Sequence, residues 1–362
     1  MMYVPLLKTR AEEIKVVKEL KPYFSDKIIP LFEIINEVYK PSYKKDDNGE
    51  VVLERHKTRM LKVKSKPTEA DIITLEYINE TMDGKQMFID YFRFSLNKYG
   101  KNISIKKAEL AFNLNNDLEL YKTKLLGVTR YDNMIPVISL KPDCEFSHAE
   151  LVEFVKKLQE NTFQIALRVT EEYIEQAKDI IRRLRKTDFL LFDIEEQNPE
   201  TKFMEIMELT ELQMDCRIIL LNSPRKSALN NGEYPEHDQT DLIDNCARRI
   251  AEENDLSGYG DYCGLKDVMP KDNRSNGTGA ALALLYEYKK NVFYSYCNHD
   301  TSLGVRGYRT LLPLIKGDEV VLNPDNDCPG YAKINSLPQT GTWRTWNYIT
   351  AVRYIYQTYK NI

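Results

Sequence analysis

Eight short apolar runs, separated mostly by segments of helical periodicity, occupy the first three quarters of this chain. They are Tyr3–Lys8, Ile28–Glu33, Met87–Phe92, Ile135–Leu140, Phe163–Arg168, Phe189–Asp193, Arg217–Asn222 and Cys263–Asp267. A parallel strand pair needs a crossover of a dozen or more residues, so strands alternating with helices build a parallel sheet, and eight such units can close on themselves. The pattern predicts an α/β fold, a (β/α)8 TIM-like barrel. Several runs end in a charged residue. In such a barrel the carboxyl ends of all strands meet at one mouth, which would gather Lys8, Glu33, Asp90, Arg168, Asp193 and Asp267 from distant parts of the sequence.

A length of 362 residues exceeds a typical single domain, but barrels of this type run from about 200 to over 400 residues with insertions. The expected organisation is a barrel over residues 1–290 and a C-terminal α/β extension over 291–362 packed on it. With 42% hydrophobic and 29% charged residues the chain has the balance of a folded globular protein. The formal net charge of −4 gives no sign of a broad nucleic-acid-binding surface, though a local basic patch can still hold a phosphate group or a nucleic-acid strand. Six cysteines (Cys144, Cys216, Cys246, Cys263, Cys297 and Cys328) lie scattered without a Cys-x-x-Cys pair, which suits free thiols. No stretch approaches the roughly 20 apolar residues of a membrane span, and the N-terminus lacks the pattern of a signal peptide. The expected setting is cytoplasmic, away from membranes.

Along the chain, Thr9 is a candidate cap for a helix carrying Ile14, Val17 and Leu20. Pro30 would deny one ladder hydrogen bond, which favours the second strand's beginning or a local irregularity over an interior ladder position. The polar, lysine-rich segment 36–66, with Asp46-Asp-Asn-Gly, reads as an insertion at the mouth, partly mobile or hairpin-like. Gly258-Tyr-Gly-Asp-Tyr reads as a turn before the eighth strand. Beyond it, Ala280 to Tyr286 reads as a helix, Val292 to Cys297 as a strand, and Tyr308–Ile315 and Trp343–Tyr359 as helices. In the last of these Trp346, Ile349, Val352 and Tyr356 recur at helical intervals.

Tyr3-Val-Pro-Leu-Leu-Lys, a helix, and then Ile29-Pro-Leu-Phe-Glu-Ile resemble the opening of the beta-protein family of phages and bacteria. Ile135-Pro-Val-Ile, Leu190-Leu-Phe-Asp, Ser257-Gly-Tyr-Gly-Asp-Tyr and Gly279-Ala-Ala-Leu-Ala-Leu-Leu-Tyr are similar to that family in the same order. Segment 36–66 and the region after 317 have no matching feature. The resemblance implies a barrel-like fold and a setting in phage or antiviral-defence gene clusters, in some cases beside a nuclease. It implies no settled activity, so function must be argued from the site.

Period-two alternation puts Lys8, Glu33, Asp90, Arg168 and Asp193 on the barrel side of their strands. Glu33, Asp90 and Asp193 are candidate catalytic groups and oxygen ligands for Mg²⁺ or Mn²⁺; Lys8, Arg168, Asp267 and Asn222 are candidate substrate-binding residues. Together they suit metal-assisted phosphoester hydrolysis, or binding of a phosphorylated or nucleotide-related ligand. No organic cofactor is indicated. The competing reading is structural: Lys8 with Glu33, and Arg168 with Asp193, would pair across adjacent strands and seal the barrel end. A glycosidase is a further alternative, but the two cations suit an anion better than a neutral sugar.

Other signals are weaker. The two glycines of Gly258-Tyr-Gly can cradle an anion but more simply serve backbone geometry. Ser223 and Arg225 follow the seventh strand without a histidine in relation to the serine, and neighbouring residues of Cys297-Asn-His-Asp point to opposite faces of a strand. Four histidines with no His-x₃-His spacing argue against zinc. The non-enzymatic alternative is a recognition subunit for a nuclease partner or phage component, its 23 tyrosines supplying contact surface.

Overall fold

A computed structural model describes residues 1–100, 102–142, 146–212, 215–272, 279–318, 321 and 327–362. Cys144 lies outside them. The other five cysteines are free and buried.

Eight parallel strands close into a barrel: β1 (Met2–Lys8), β2 (Leu31–Ile34), β5 (Met87–Tyr91), β6 (Met134–Leu140), β7 (Ala166–Val169), β8 (Phe189–Asp193), β9 (Arg217–Asn222) and β11 (Gly258–Asp261). Their order around the barrel is β1-β11-β9-β8-β7-β6-β5-β2, so sequence neighbours are spatial neighbours throughout and β11 closes on β1. The predicted α/β barrel is present. Apart from Arg217 and Ile218, the strand residues are buried, because helices cover the outer wall and side chains fill the interior. β2 begins at Leu31, one residue after Pro30, whose missing N–H cannot serve the ladder.

The eighth strand differs from the expected one. The ladder runs through Gly258–Asp261, and Cys263 to Asp267 forms the loop beyond it. Both glycines face the interior, where no side chain fits: a Cβ on Gly260 would lie 2.4 Å from the Val4 carbonyl oxygen and 2.7 Å from Leu221 Cδ2. Glycine here permits close packing of the wall rather than a turn.

The segment after β2 contains an exposed antiparallel hairpin, β3 (Leu53–His56) and β4 (Arg59–Lys62). The segment Ala280 to Tyr286, expected to be helical, forms instead β12 (Ala281–Glu287), paired antiparallel with β13 (Val292–Asn298), which in turn pairs with β10 (His237–Thr240). Ala281, Ala283 and Leu285 pack against Tyr308, Leu311, Trp346 and Ile349, while Leu282, Leu284 and Tyr286 join the main core. Burial on both faces removes the polar alternation by which a strand is recognised.

The C-terminal helix (Trp343–Asn361) lies on β12: Thr350 donates to the Leu284 carbonyl at 2.8 Å and Arg353 Nε to that of Tyr286 at 2.8 Å. Its Tyr354 hydroxyl donates to Asp261 at 2.6 Å, tying the helix to the barrel wall. No helix among the described residues is long and apolar enough to cross a membrane.

Candidate functional site

The parallel register sets Lys8 beside Glu33, and Glu33 beside Asp90, at the carboxyl ends of β1, β2 and β5. Arg168 on β7 lies three strands farther round than β2, yet its Nη1 donates to Glu33 at 2.7 Å and to Asp90 at 2.8 Å. Only side chains directed into the barrel can meet in this way. Arg168 also binds Asp193 on β8 through Nε (2.9 Å) and Nη2 (2.7 Å). The Lys8 ammonium binds Glu33 at 2.5 Å and Asp267 at 2.6 Å. Asp267 reaches the network from the loop after β11, not from a strand end. The six expected residues are thus in one network, all buried.

Hydroxyls complete it. Tyr262 donates to Glu33 at 2.7 Å, Tyr99 to Asp267 at 2.8 Å and Ser139 to Asp90 at 2.9 Å. Lys98 bonds Asp267 at 2.8 Å and Glu195 at 2.9 Å. The Lys8 ammonium also sits 4.6 Å from the centre of the Phe92 ring and 4.5 Å from that of Tyr262, where ring quadrupoles favour a cation. Burial would raise the carboxyl of Glu33, but Lys8 and Arg168 outweigh it and hold the group down at about 2. Asp267 is held well below its usual range against burial by Lys8 and Lys98, and Asp193 is lowered against burial by Arg168 and Lys98. Glu33, Asp193 and Asp267 are therefore ionised at neutral pH.

Glu33, Asp90 and Asp193, the expected metal ligands, converge on a cation, and that cation is the Arg168 guanidinium. Among the described residues no three carboxylate, imidazole or thiol groups are placed to hold a metal ion. Asn222 stands apart from the network, its amide donating at 2.9 Å to the carbonyls of both Glu195 and Gln197. The Cys297 thiol is spent on the Asn231 carbonyl and is pushed up to about 11 by burial.

Among the described residues, a further cation in the mouth has no ion-pair partner. Lys141, the residue after β6, is only 6% exposed, and its ammonium lies 4.1 Å from the centre of the Phe92 ring. It has no ion-pair or hydrogen-bond partner among the described residues. Burial lowers its proton affinity, and the charge of Arg168 lowers it further, against a weaker pull from Asp90, Glu33 and Asp193. A buried ammonium without an anion is costly unless something supplies one. The expectation from charged strand ends passes over Lys141 because the apolar run stops at Leu140; extending each run by one residue would have found it. Lys98, Tyr99 and Tyr262 come from loops and a short helix, where no periodicity marks them.

A model of the Beta protein family matches residues 3–298. No curated protein matches the chain. Among solved structures, D-psicose 3-epimerase with D-tagatose from Clostridium cellulolyticum H10 is 9% identical, with a TM-score of 0.35 over 76% of this chain and 86% of that one. Dihydropteroate synthase from Anaplasma phagocytophilum, with bound 6-hydroxymethylpterin-monophosphate, is 11% identical, with a TM-score of 0.29 over 72% of this chain and 93% of that one.

Proposed function

The chain belongs to the Beta protein family, and from the site of this member we propose that the barrel mouth binds a small phosphorylated or nucleotide-related anion. Lys141 is the primary contact, with Lys98 and Arg168 beside it. The observation that carries this reading is Lys141 itself, a buried ammonium at a strand end with no acidic partner among the described residues, next to carboxylates already committed to Lys8, Arg168 and Lys98. A phosphate group would supply the missing charge through charge-assisted hydrogen bonds. Lys98, about a quarter exposed, stands where an arriving ligand would meet it.

Hydrolysis assisted by Mg²⁺ or Mn²⁺ at Glu33, Asp90 and Asp193 is less well supported, because Arg168 would first have to release all three. The recognition-subunit alternative is not favoured by the tyrosines. Tyr3, Tyr121, Tyr234, Tyr259, Tyr286, Tyr296 and Tyr354 are fully buried.

The test is thermal unfolding of the wild-type chain and Lys141→Met with inorganic phosphate, pyrophosphate, nucleotides and phosphosugars, each with and without Mg²⁺ or Mn²⁺. A ligand that binds the native state raises its melting temperature by mass action. The expected result is a metal-independent rise in the wild type that Lys141→Met abolishes. No rise with any compound would overturn the proposal. A rise that needs metal and disappears in Asp193→Asn would transfer the site to the hydrolytic reading.

A further inference from the structure

We propose that the β3–β4 hairpin is a docking element for double-stranded DNA, a surface separate from the barrel mouth and independent of the reading above. Residues 53–66 carry six basic side chains, Arg55, Lys57, Arg59, Lys62, Lys64 and Lys66, against one acidic residue, Glu54. The chain as a whole has a formal charge of −4, so this concentration is local and opposite in sign to the rest. None of the six has an ion-pair partner among the described residues. A cation cluster left unneutralised on a solvent-facing element is the electrostatic footprint of a polyanion site.

The shape fits the same partner. All eight residues of β3 and β4 are exposed, so beyond its base, where segment 42–45 bridges Val51 and Lys64, the hairpin is a solvent-facing two-stranded ribbon. The major groove of duplex DNA admits a two-stranded β-ribbon. The pairing Arg55 with Met60 and Leu53 with Lys62 puts Arg55 and Lys62 on one face, and the pairing of His56 with Arg59 puts Arg59 on the other. A ribbon in the groove turns one face to the base edges while its edges run beside the phosphate walls, and the face of Leu53, Arg55, Met60 and Lys62 carries two cations and no acidic residue. Lys57 sits at the tip of the turn with φ 54°, so a cation leads the ribbon where glycine would be the easier choice. Leu53 and Met60, on the face of Arg55 and Lys62, are half or more exposed and can make apolar contacts with base edges such as the thymine methyl.

The test is fluorescence anisotropy of a labelled mixed-sequence DNA duplex with the full-length wild-type chain, and with a variant carrying Arg55→Glu, Arg59→Glu and Lys62→Glu. Binding is measured at about 50 and about 200 mM salt, since each neutralised phosphate steepens the salt dependence. All three positions are solvent-exposed, and an unchanged melting temperature verifies that the variant is folded. The expected result is wild-type binding that weakens with salt, and a loss of at least about tenfold in the variant with a shallower salt slope. Absence of duplex binding by the wild type at the lower salt, or variant affinity within about twofold of wild type, would overturn the proposal. Tighter binding of single-stranded DNA than of the duplex by the wild type would also overturn it.

Discussion

Glu33 and Asp261 are both fully buried carboxylates near the ends of barrel strands, and their surroundings move their proton affinities in opposite directions. Glu33 faces Lys8 and Arg168 and is held at about 2. Asp261, on the outer side of β11, faces only neutral donors: the hydroxyls of Tyr3 at 3.0 Å and Tyr354 at 2.6 Å and the Cys263 N–H at 2.7 Å. Burial outweighs these bonds and raises it to about 6. The stability consequences differ in sign. Glu33 contributes stability that is present above its unfolded value of 4.5 and is lost as pH falls toward about 2. For Asp261 the folded chain binds the proton more tightly than the unfolded chain, so stability falls as pH rises from 3.8 to about 6 and stays lower above that. The ionised group costs on the order of 3 kcal/mol at neutral pH. Asp261→Asn keeps the shape and removes the charge. It is expected to raise the melting temperature by a few degrees at pH 8 and by about a third as much at pH 4.5; an equal change at both would show that Asp261 does not titrate in this window.

At the scale of elements, legibility in the sequence followed the number of faces a segment buries and the partner it meets. β8 and β9 match their expected limits, because unbroken apolar runs bounded by polar residues mark barrel strands directly. β12 was obscured by the same property, since its alanines and leucines serve two cores and leave no polar face. β11 was obscured because its interior residues are glycines, which carry no hydrophobic signal. Charged strand ends located five network residues, and the sixth, Asp267, was found at the end of a run that proved to be a loop; Lys141, one position past its run, Lys98 and Tyr99 on the short helix Leu96–Tyr99, and Tyr262 depend on how the connections fold back, which no local pattern encodes. The glycine account is testable. Gly260→Ala places a Cβ against the Val4 carbonyl and Leu221, and is expected to cost about 3 kcal/mol or more in denaturant unfolding. Gly317→Ala, at the end of the helix Tyr308–Gly317 with open space around it, is expected to change stability by less than about 1 kcal/mol. Equal effects would refute close packing as the reason for glycine in β11.

At the scale of the whole molecule, the barrel and the C-terminal elements are interleaved. β10 lies in sequence between barrel strands β9 and β11 yet pairs with β13, and the C-terminal helix packs on both β12 and the helix Ala11–Leu20. Tyr354 and Lys27 bond across the same junction, the latter to the carbonyl of Ile362 at 2.8 Å. Cooperative contacts on this scale are expected to give one calorimetric unfolding transition; two separated transitions would show that the parts unfold independently. Closure of the barrel is also what brings four carboxylates and their cations together, and among the described residues it leaves Lys141 without an ion-pair partner. The most direct test of that claim is a calorimetric titration of wild type and Lys141→Met with inorganic pyrophosphate at pH 7. Saturable binding by the wild type, weakened at least about tenfold in Lys141→Met while the variant remains folded, is the expected result, a difference of about 1.4 kcal/mol or more. Equal binding by the two proteins, or none by the wild type, would contradict the assignment of Lys141 as the anion contact.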